Sequence, residues 1–281
     1  MESAVVDLLA CPECESDLEI VERTLLCATG HSFDIARQGY VSLLTGAATK
    51  MTGDTAEMVL ARDQFLAAGH FAPIAAAVTE AVAASSAGPA RVLEIGAGTG
   101  YYLAHVLDAQ PDGCGVGLDV AKPAARRLAR AHPRAGAVVA DAWQRLPLRG
   151  AAFTHALSVF APRNAAEVWR CLTDDGTYVV VTPTAQHLRE LIAPLGMVGV
   201  DADKTHRLGE AMSGWFERAS RTTVEFEMSL APADIEAVVG MGPSGHHLSA
   251  ATRTARIAAL RADVTGVTVT ASVQVSCYRP A

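Results

Sequence analysis

Lysine is nearly missing from this chain, with three residues (Lys50, Lys122, Lys204) among 281. Lys and Arg together number 23 against 30 Asp and Glu, for a formal net charge of −7. That balance excludes a protein that holds nucleic acid by its overall field, so any RNA contact must use local basic patches. Two are visible: Arg126, Arg127, Arg130, His132 and Arg134, and a later group of Arg253, Arg256 and Arg261. Each reads more readily as a solvated helix face. No apolar run approaches the roughly eighteen residues of a membrane span. The opening MESAVVD carries acid where a secretory signal would carry Lys or Arg, so a cytoplasmic protein without membrane contact is expected. Internal repeats are absent and aromatics make up only 5%. Half the residues are hydrophobic, enough for one large domain, or a domain with a small module.

Cysteine is scarce and unevenly placed, with six in all. Cys11-Pro12-Glu13-Cys14 is followed, after twelve intervening residues, by Cys27-Ala28-Thr29-Gly30-His31. Two tight knuckles carrying three thiols and one imidazole match a closed tetrahedral zinc site. Soft thiolates favour Zn²⁺ over hard cations. A disulfide is disfavoured in a reducing compartment, and a redox pair needs neither the third Cys nor the His. With Cys11, Cys14, Cys27 and His31 all as ligands no position stays open, so the metal is expected to be structural. Cys114, Cys171 and Cys277 read as packing residues.

The most informative string is Val92-Leu93-Glu94-Ile95-Gly96-Ala97-Gly98-Thr99-Gly100. A short apolar run ends at an acid, and a loop with Gly at every second position leads into a helix. Glycine permits positive φ and close approach of a ligand to the backbone, and the helix start offers unpaired N–H groups. A dinucleotide fingerprint spaces its glycines G-x-G-x-x-G; here the pattern is G-x-G-x-G. Glu94 suits a cationic or amino-bearing ligand better than a pyrophosphate. Gly115 to Asp119 reads as a second strand ending in a carboxylate able to accept both ribose hydroxyls. Val138 to Asp141 reads as a third strand with a polar end. Helix N-capping is the plainer role for Asp119 and Asp141.

Residues 1–45 read as a small zinc module of short strands with Leu18, Ile20, Leu25, Leu26 and Phe33 as its core. Residues 46–88 read as a linker and helices, within which 46–53 form the linker itself. Asp54 with Glu57 makes a helix start of capping-box type, and a second helix is expected over 73–84. Residues 89–281 form the main domain. Strands are expected at 91–95, 115–119, 137–140, 153–160 and 177–182, alternating with helices, which implies a mostly parallel sheet. Thr222 to Met228 and Val267 to Val275 alternate by twos and suit a closing antiparallel pair. Residues 184–221 read as an insertion, a helical lid or substrate wall.

The glycine loop and the carboxylates at 94, 119 and 141 resemble the motifs of class I S-adenosylmethionine-dependent methyltransferases. The fold implied is α/β, a Rossmann-like seven-stranded sheet, here with an N-terminal zinc-binding module. Together with Cys27 to Leu44, Gly53 to Phe71 and Gly98 to Tyr102, they resemble the bacterial 23S rRNA guanine-N1 methyltransferases of the RlmA type, including macrolide-resistance enzymes of the tylosin and mycinamicin producers. The resemblance runs essentially the full length, clearest in the first hundred residues and sparse between 196 and 250. It implies S-adenosyl-L-methionine and Zn²⁺ as cofactors, a 23S rRNA hairpin as partner and pairing into a homodimer. It places cofactor contacts at Phe71, the loop at Gly98 and Thr99, Asp141 near the adenine, and His187. Phe71 also reads as a core aromatic, and His187 as a helix-start side chain. An Ala-rich, Lys-poor composition fits a GC-rich actinobacterial source and hence the resistance branch.

Guanine N1 is protonated at neutral pH, so its methylation needs a base or a stabiliser of developing charge on O6; no residue is assigned that role. Ser158 to Asn164 lacks an N-P-P-Y pattern for exocyclic amines, and lacks the Cys nucleophile of C5-pyrimidine methylation. Phe160 there suits either a stack on a flipped base or packing under the sheet. A small-molecule methyltransferase of secondary metabolism fits the negative charge but leaves the metal knuckles unused. A non-catalytic RNA-binding adaptor is the third reading.

Overall fold

Two sheets of unequal size organise the chain. The computed structural model describes residues 1–44, 51–197, 199, 204–242, 250–260 and 266–281; part of the expected linker and Arg261 lie outside them. The small sheet is antiparallel, β1 (Leu18–Val21), β2 (Thr24–Cys27) and β3 (Ser32–Asp34) in that order, preceded by α1 (Ser3–Val6). The large sheet contains β4 (Val41–Ser42), β5 (Arg91–Ile95), β6 (Cys114–Asp119), β7 (Ala135–Val139), β8 (Phe153–Val159), β9 (Leu172–Pro183), β10 (Phe216–Leu230) and β11 (Val267–Pro280). Its order is β10-β11-β9-β8-β5-β6-β7-β4. From β4 to β9 all pairings are parallel, while β11 lies antiparallel between β9 and β10.

The central strands are near-continuous apolar runs because both faces are covered. On one face pack α2 (Ala56–Ala67), α3 (Ala72–Ser85), α4 (Tyr101–Asp108), α7 (Arg189–Leu195), α9 (Pro232–Gly240) and α10 (Ala250–Ala259), around Phe65, Ile74, Leu103, Leu191 and Val238. On the other lie α1, the small sheet, α6 (Ala165–Cys171) and α8 (Lys204–Met212). Helix α5 (Lys122–Leu128) follows β6. Chain direction diverges from β5, toward β6 and β7 on one side and β8 and β9 on the other. Ligands of such sheets bind beyond the strand ends at that point.

Seven strands were expected and the described residues contain eight: Val41–Ser42 extends the sheet beside β7. The small sheet also draws on the large one for its core. Leu18 and Leu25 are buried, but Ile20 is 36% exposed. The missing apolar partners are Val116, Leu118 and Val138 of the large sheet, in one cluster with Leu25, Cys27, Ile35 and Val41. At the start of α2 the cap is Thr55, whose Oγ1 accepts from the Met58 N–H at 3.2 Å. Asp54 instead forms an ion pair with Arg62. Described residues of the expected insertion form α7 and α8, and β10 begins at Phe216, six residues earlier than its alternation suggested.

Candidate cofactor cleft and metal cluster

Beyond the C-terminal end of β5 the chain turns through Gly96, Gly98 and Gly100, with φ of +63°, +55° and +80°. Side chains are strained in that left-handed region. Gly96 is crowded as well: a Cβ there would stand 2.7 Å from the Cβ of Ala161. The loop after β8 therefore rests directly on the glycine turn. Gly98 N–H donates to Oδ2 of Asp119 at 2.9 Å, and Ala121 N–H to its Oδ1 at 2.8 Å. Each carboxylate oxygen keeps a further lone pair for a ligand. Burial raises the Asp119 pKa.

Glu94 is fully enclosed, and its Oε2 accepts from the Leu103 N–H at 3.1 Å. Burial pushes its pKa up to about 8, with the neighbouring Asp119 charge adding to that rise. Asp141, also buried, accepts from the Trp143 N–H at 2.9 Å and so shapes the turn after β7 rather than capping a helix. Phe71 stands at the N-cap of α3 and packs edge-on against Phe65, ring centres 5.0 Å apart.

Phe71, Glu94, Gly96, Gly98, Thr99, Asp119 and Asp141 all line one cleft. His187 stands one ring behind that wall, with its ring centre 5.8 Å from Phe71 and 5.5 Å from Phe160. Ser272 N–H donates to its Nδ1 at 3.2 Å, so neutral His187 carries its proton on Nε2. Among the described residues the ionisable side chains lining the cleft are Asp54, Glu94, Asp119 and Asp141 with Arg62 as the one cation, itself paired with Asp54. Such a wall favours a ligand with net positive charge.

On the opposite face of the sheet the ligand atoms of Cys11, Cys14, Cys27 and His31 lie within 4.8 Å of one another. Cys14 and Cys27 sulfurs are 3.7 Å apart; His31 Nδ1 is 3.5 Å from the sulfur of Cys11 and 3.4 Å from that of Cys27. A tetrahedron with Zn–S about 2.3 Å and Zn–N about 2.0 Å has S···S edges of about 3.8 Å and S···N edges of about 3.5 Å. The residues fit zinc, with His31 bonding through Nδ1. Burial raises the Cys27 thiol, but hydrogen bonds from the Thr29 hydroxyl and the Thr29 and His31 N–H groups bring it down to about 5. Ser16 and Thr29 lower Cys14 to about 7.

A zinc-ribbon family model described as RlmA, N-terminal, matches residues 9–48. A putative 23S rRNA (guanine-N(1)-)-methyltransferase of Micromonospora griseorubida is 49% identical, the match covering 97% of this chain and 97% of that protein. The 23S rRNA (guanine(748)-N(1))-methyltransferase of Streptomyces fradiae is 44% identical over 100% of this chain and 99% of its own length. The chain belongs to the 23S rRNA (guanine-N1)-methyltransferase family. Among solved structures, the complex between the Haloferax volcanii Trm112 methyltransferase activator and the putative methyltransferase has a chain of like fold. Its TM-score is 0.50 at 17% identity, covering 82% of this chain and 99% of that one.

This family member has cleft residues that motif reading passed over. Arg62 projects from α2 toward the glycine turn, with Nη1 3.2 Å from where a Cβ of Gly98 would be, and Nη2 donates to Met241 O at 2.8 Å. Met51 to Asp54 line the same cleft, and Gly53 meets Ala121 so closely that a Cβ would come within 2.9 Å. Arg62 precedes Phe65 and Leu66 by one helical turn, so its α2 face was legible, but the cleft it reaches was not. The candidate basic patches are largely committed elsewhere: Arg127 pairs with Asp63, His132 with Asp108 and Arg253 with Glu236, while Arg134 and Arg256 donate to main-chain carbonyls.

Proposed function

We propose that this protein transfers the methyl group of S-adenosylmethionine to N1 of a guanosine in a 23S rRNA hairpin. The observation that carries the reading is identity of 44–49% with two relatives of that name along nearly the whole chain. The acidic cleft supports the choice of cofactor. S-adenosylmethionine has two positive groups and one carboxylate, so it suits walls with four acids and one arginine, whereas its product has lost the sulfonium charge. Glu94 would hold the amino end, Asp119 the ribose, Asp141 the adenine, and Phe71, Gly98 and Thr99 the remaining surface; His187, expected as a direct contact, would act only through the rings of Phe71 and Phe160 in front of it.

When bound, the cofactor supplies a methyl carbon already activated by the sulfonium. What the chain must supply is alignment, which accounts for much of the acceleration in such displacements. The cleft must present guanine N1 in line with that carbon, and the N1 proton must pass to a base, a role given to no residue of this chain. The division of labour proposed is a ribbon over residues 1–45 that grips the hairpin by shape and phosphate contacts, helices of 46–88, and chemistry in 89–281. Among the described residues no single helix is long and apolar enough to cross a membrane; a cytoplasmic location is proposed from the rRNA substrate of the relatives. Resistance to macrolides of the tylosin or mycinamicin type is the proposed biological role.

Purified protein incubated with tritiated cofactor tests the activity, using 23S rRNA lacking the modification and a macrolide precursor side by side. Label in the rRNA, first sought at position 748 as in the Streptomyces fradiae relative, is the expected outcome. Label in the macrolide alone, or in neither, overturns it.

A further inference from the structure

Phe160 directly follows β8 in a backbone conformation that a bulky side chain adopts only when held there, with φ of +55°. The residue is 41% exposed, so it does not pack under the sheet. It lines the cleft on the β8 side and lies 5.5 Å from His187 in a near-parallel stack tilted by 29°. Phe71 closes the back of the group at 6.0 Å. Strain of this kind collects at functional sites.

The surroundings fix the strained turn from several sides. Phe160 N–H donates to Val181 O at 3.2 Å, and Ser158 Oγ donates to Pro162 O at 3.2 Å. Ala161 rests against Gly96, where no Cβ intervenes. Asn164 caps α6 and donates through Nδ2 to Ala142 O at 3.1 Å, joining this turn to the one that carries Trp143. Trp143 is 56% exposed and lines the same cleft from the β7 side. The glycine turn and its carboxylates lie between the two aromatic lips.

We infer that Phe160, backed by His187, is the platform on which the target guanine stacks once it has left the hairpin. A base inside a helix cannot present N1 to a buried methyl donor, because pairing occupies that edge; extrusion is required. An exposed ring face aimed into the cleft then holds the base, and stacking on an aromatic side chain contributes about 1–3 kcal/mol. The inference rests on the rRNA reading above, and its test separates the two.

Phe160→Asn places in the left-handed turn a residue that tolerates it, so the fold and cofactor site remain while the platform is lost. Compared with wild type, it is expected to melt within a few degrees, bind cofactor within twofold, and lose roughly 5- to 150-fold in kcat/KM for the hairpin. Phe160→Tyr is expected to keep most of that activity. A hairpin with 2-aminopurine at the target position should brighten on wild-type binding and much less with Phe160→Asn at saturating protein. Equal turnover and equal brightening in the two proteins would overturn the platform; so would parallel loss of melting temperature and cofactor affinity, the mark of a merely structural ring. If wild type itself leaves the hairpin unlabelled, the failure belongs to the proposed reaction instead.

Discussion

Glu94 carries the sharpest consequence at the level of single residues. A carboxyl whose pKa is about 8 in the folded protein and near the usual 4.3 when unfolded favours folding most while protonated in both states. That contribution is full below the unfolded pKa and is lost as pH rises through the folded one. Melting temperature followed from pH 4 to 9 should therefore decline less for Glu94→Gln than for wild type; parallel curves would show that Glu94 does not titrate there. A bound ammonium favours the ionised form, so wild-type cofactor affinity should rise with pH toward about 8, whereas Glu94→Gln should bind about 10- to 100-fold more weakly without that rise. Titration calorimetry at several pH values measures both. Gly96→Ala meets a positive φ and the Cβ of Ala161 together, and should cost about 1–3 kcal/mol of stability by denaturant unfolding. Unchanged stability would mean that the loop after β8 yields freely. The acids at 94, 119 and 141 and the glycines were legible because their chemistry is local to the strand ends. Arg62 was not, because a helix far away in sequence brings it there.

Among elements, buried parallel strands announce themselves as short apolar runs, and β5 falls at 91–95 as expected. The two-residue strand Val41–Ser42 has no periodicity to read; its pairing with β7 and the bridge from Val41 to Ile35 define it. β10 and β11 extend beyond their expected ends because an edge pair held by main-chain hydrogen bonds needs no apolar pattern along its exposed face. The ribbon makes a different prediction. Its cysteines would be structural ligands, and Leu18, Leu25 and Cys27 pack into the core that holds Val116 and Leu118. Chelation of zinc, or Cys11→Ser, should lower the melting temperature of the whole protein by several degrees and weaken hairpin binding more than cofactor binding. Two separate melting transitions, with the larger unmoved, would show instead that the ribbon stands alone. An absence of zinc in elemental analysis of fresh protein would remove the site itself.

Over the whole molecule, the sheet places a carboxylate or an aromatic ring at the ends of β5, β6, β7 and β8 around one opening, while the ribbon sits on the other face near β4 and β7. The net charge of −7 means that the overall field does not draw RNA to the protein, so any RNA contact must be local. Methylation at N1 abolishes Watson–Crick pairing by that guanine, so reverse transcription of treated 23S rRNA reports directly on the product. With enzyme and S-adenosylmethionine present, extension should stop one nucleotide before a single guanosine, first sought at position 748 as in the Streptomyces fradiae relative, and should run through when cofactor is omitted. Full-length extension under both conditions, from rRNA shown to be unmodified at the outset, would contradict the account.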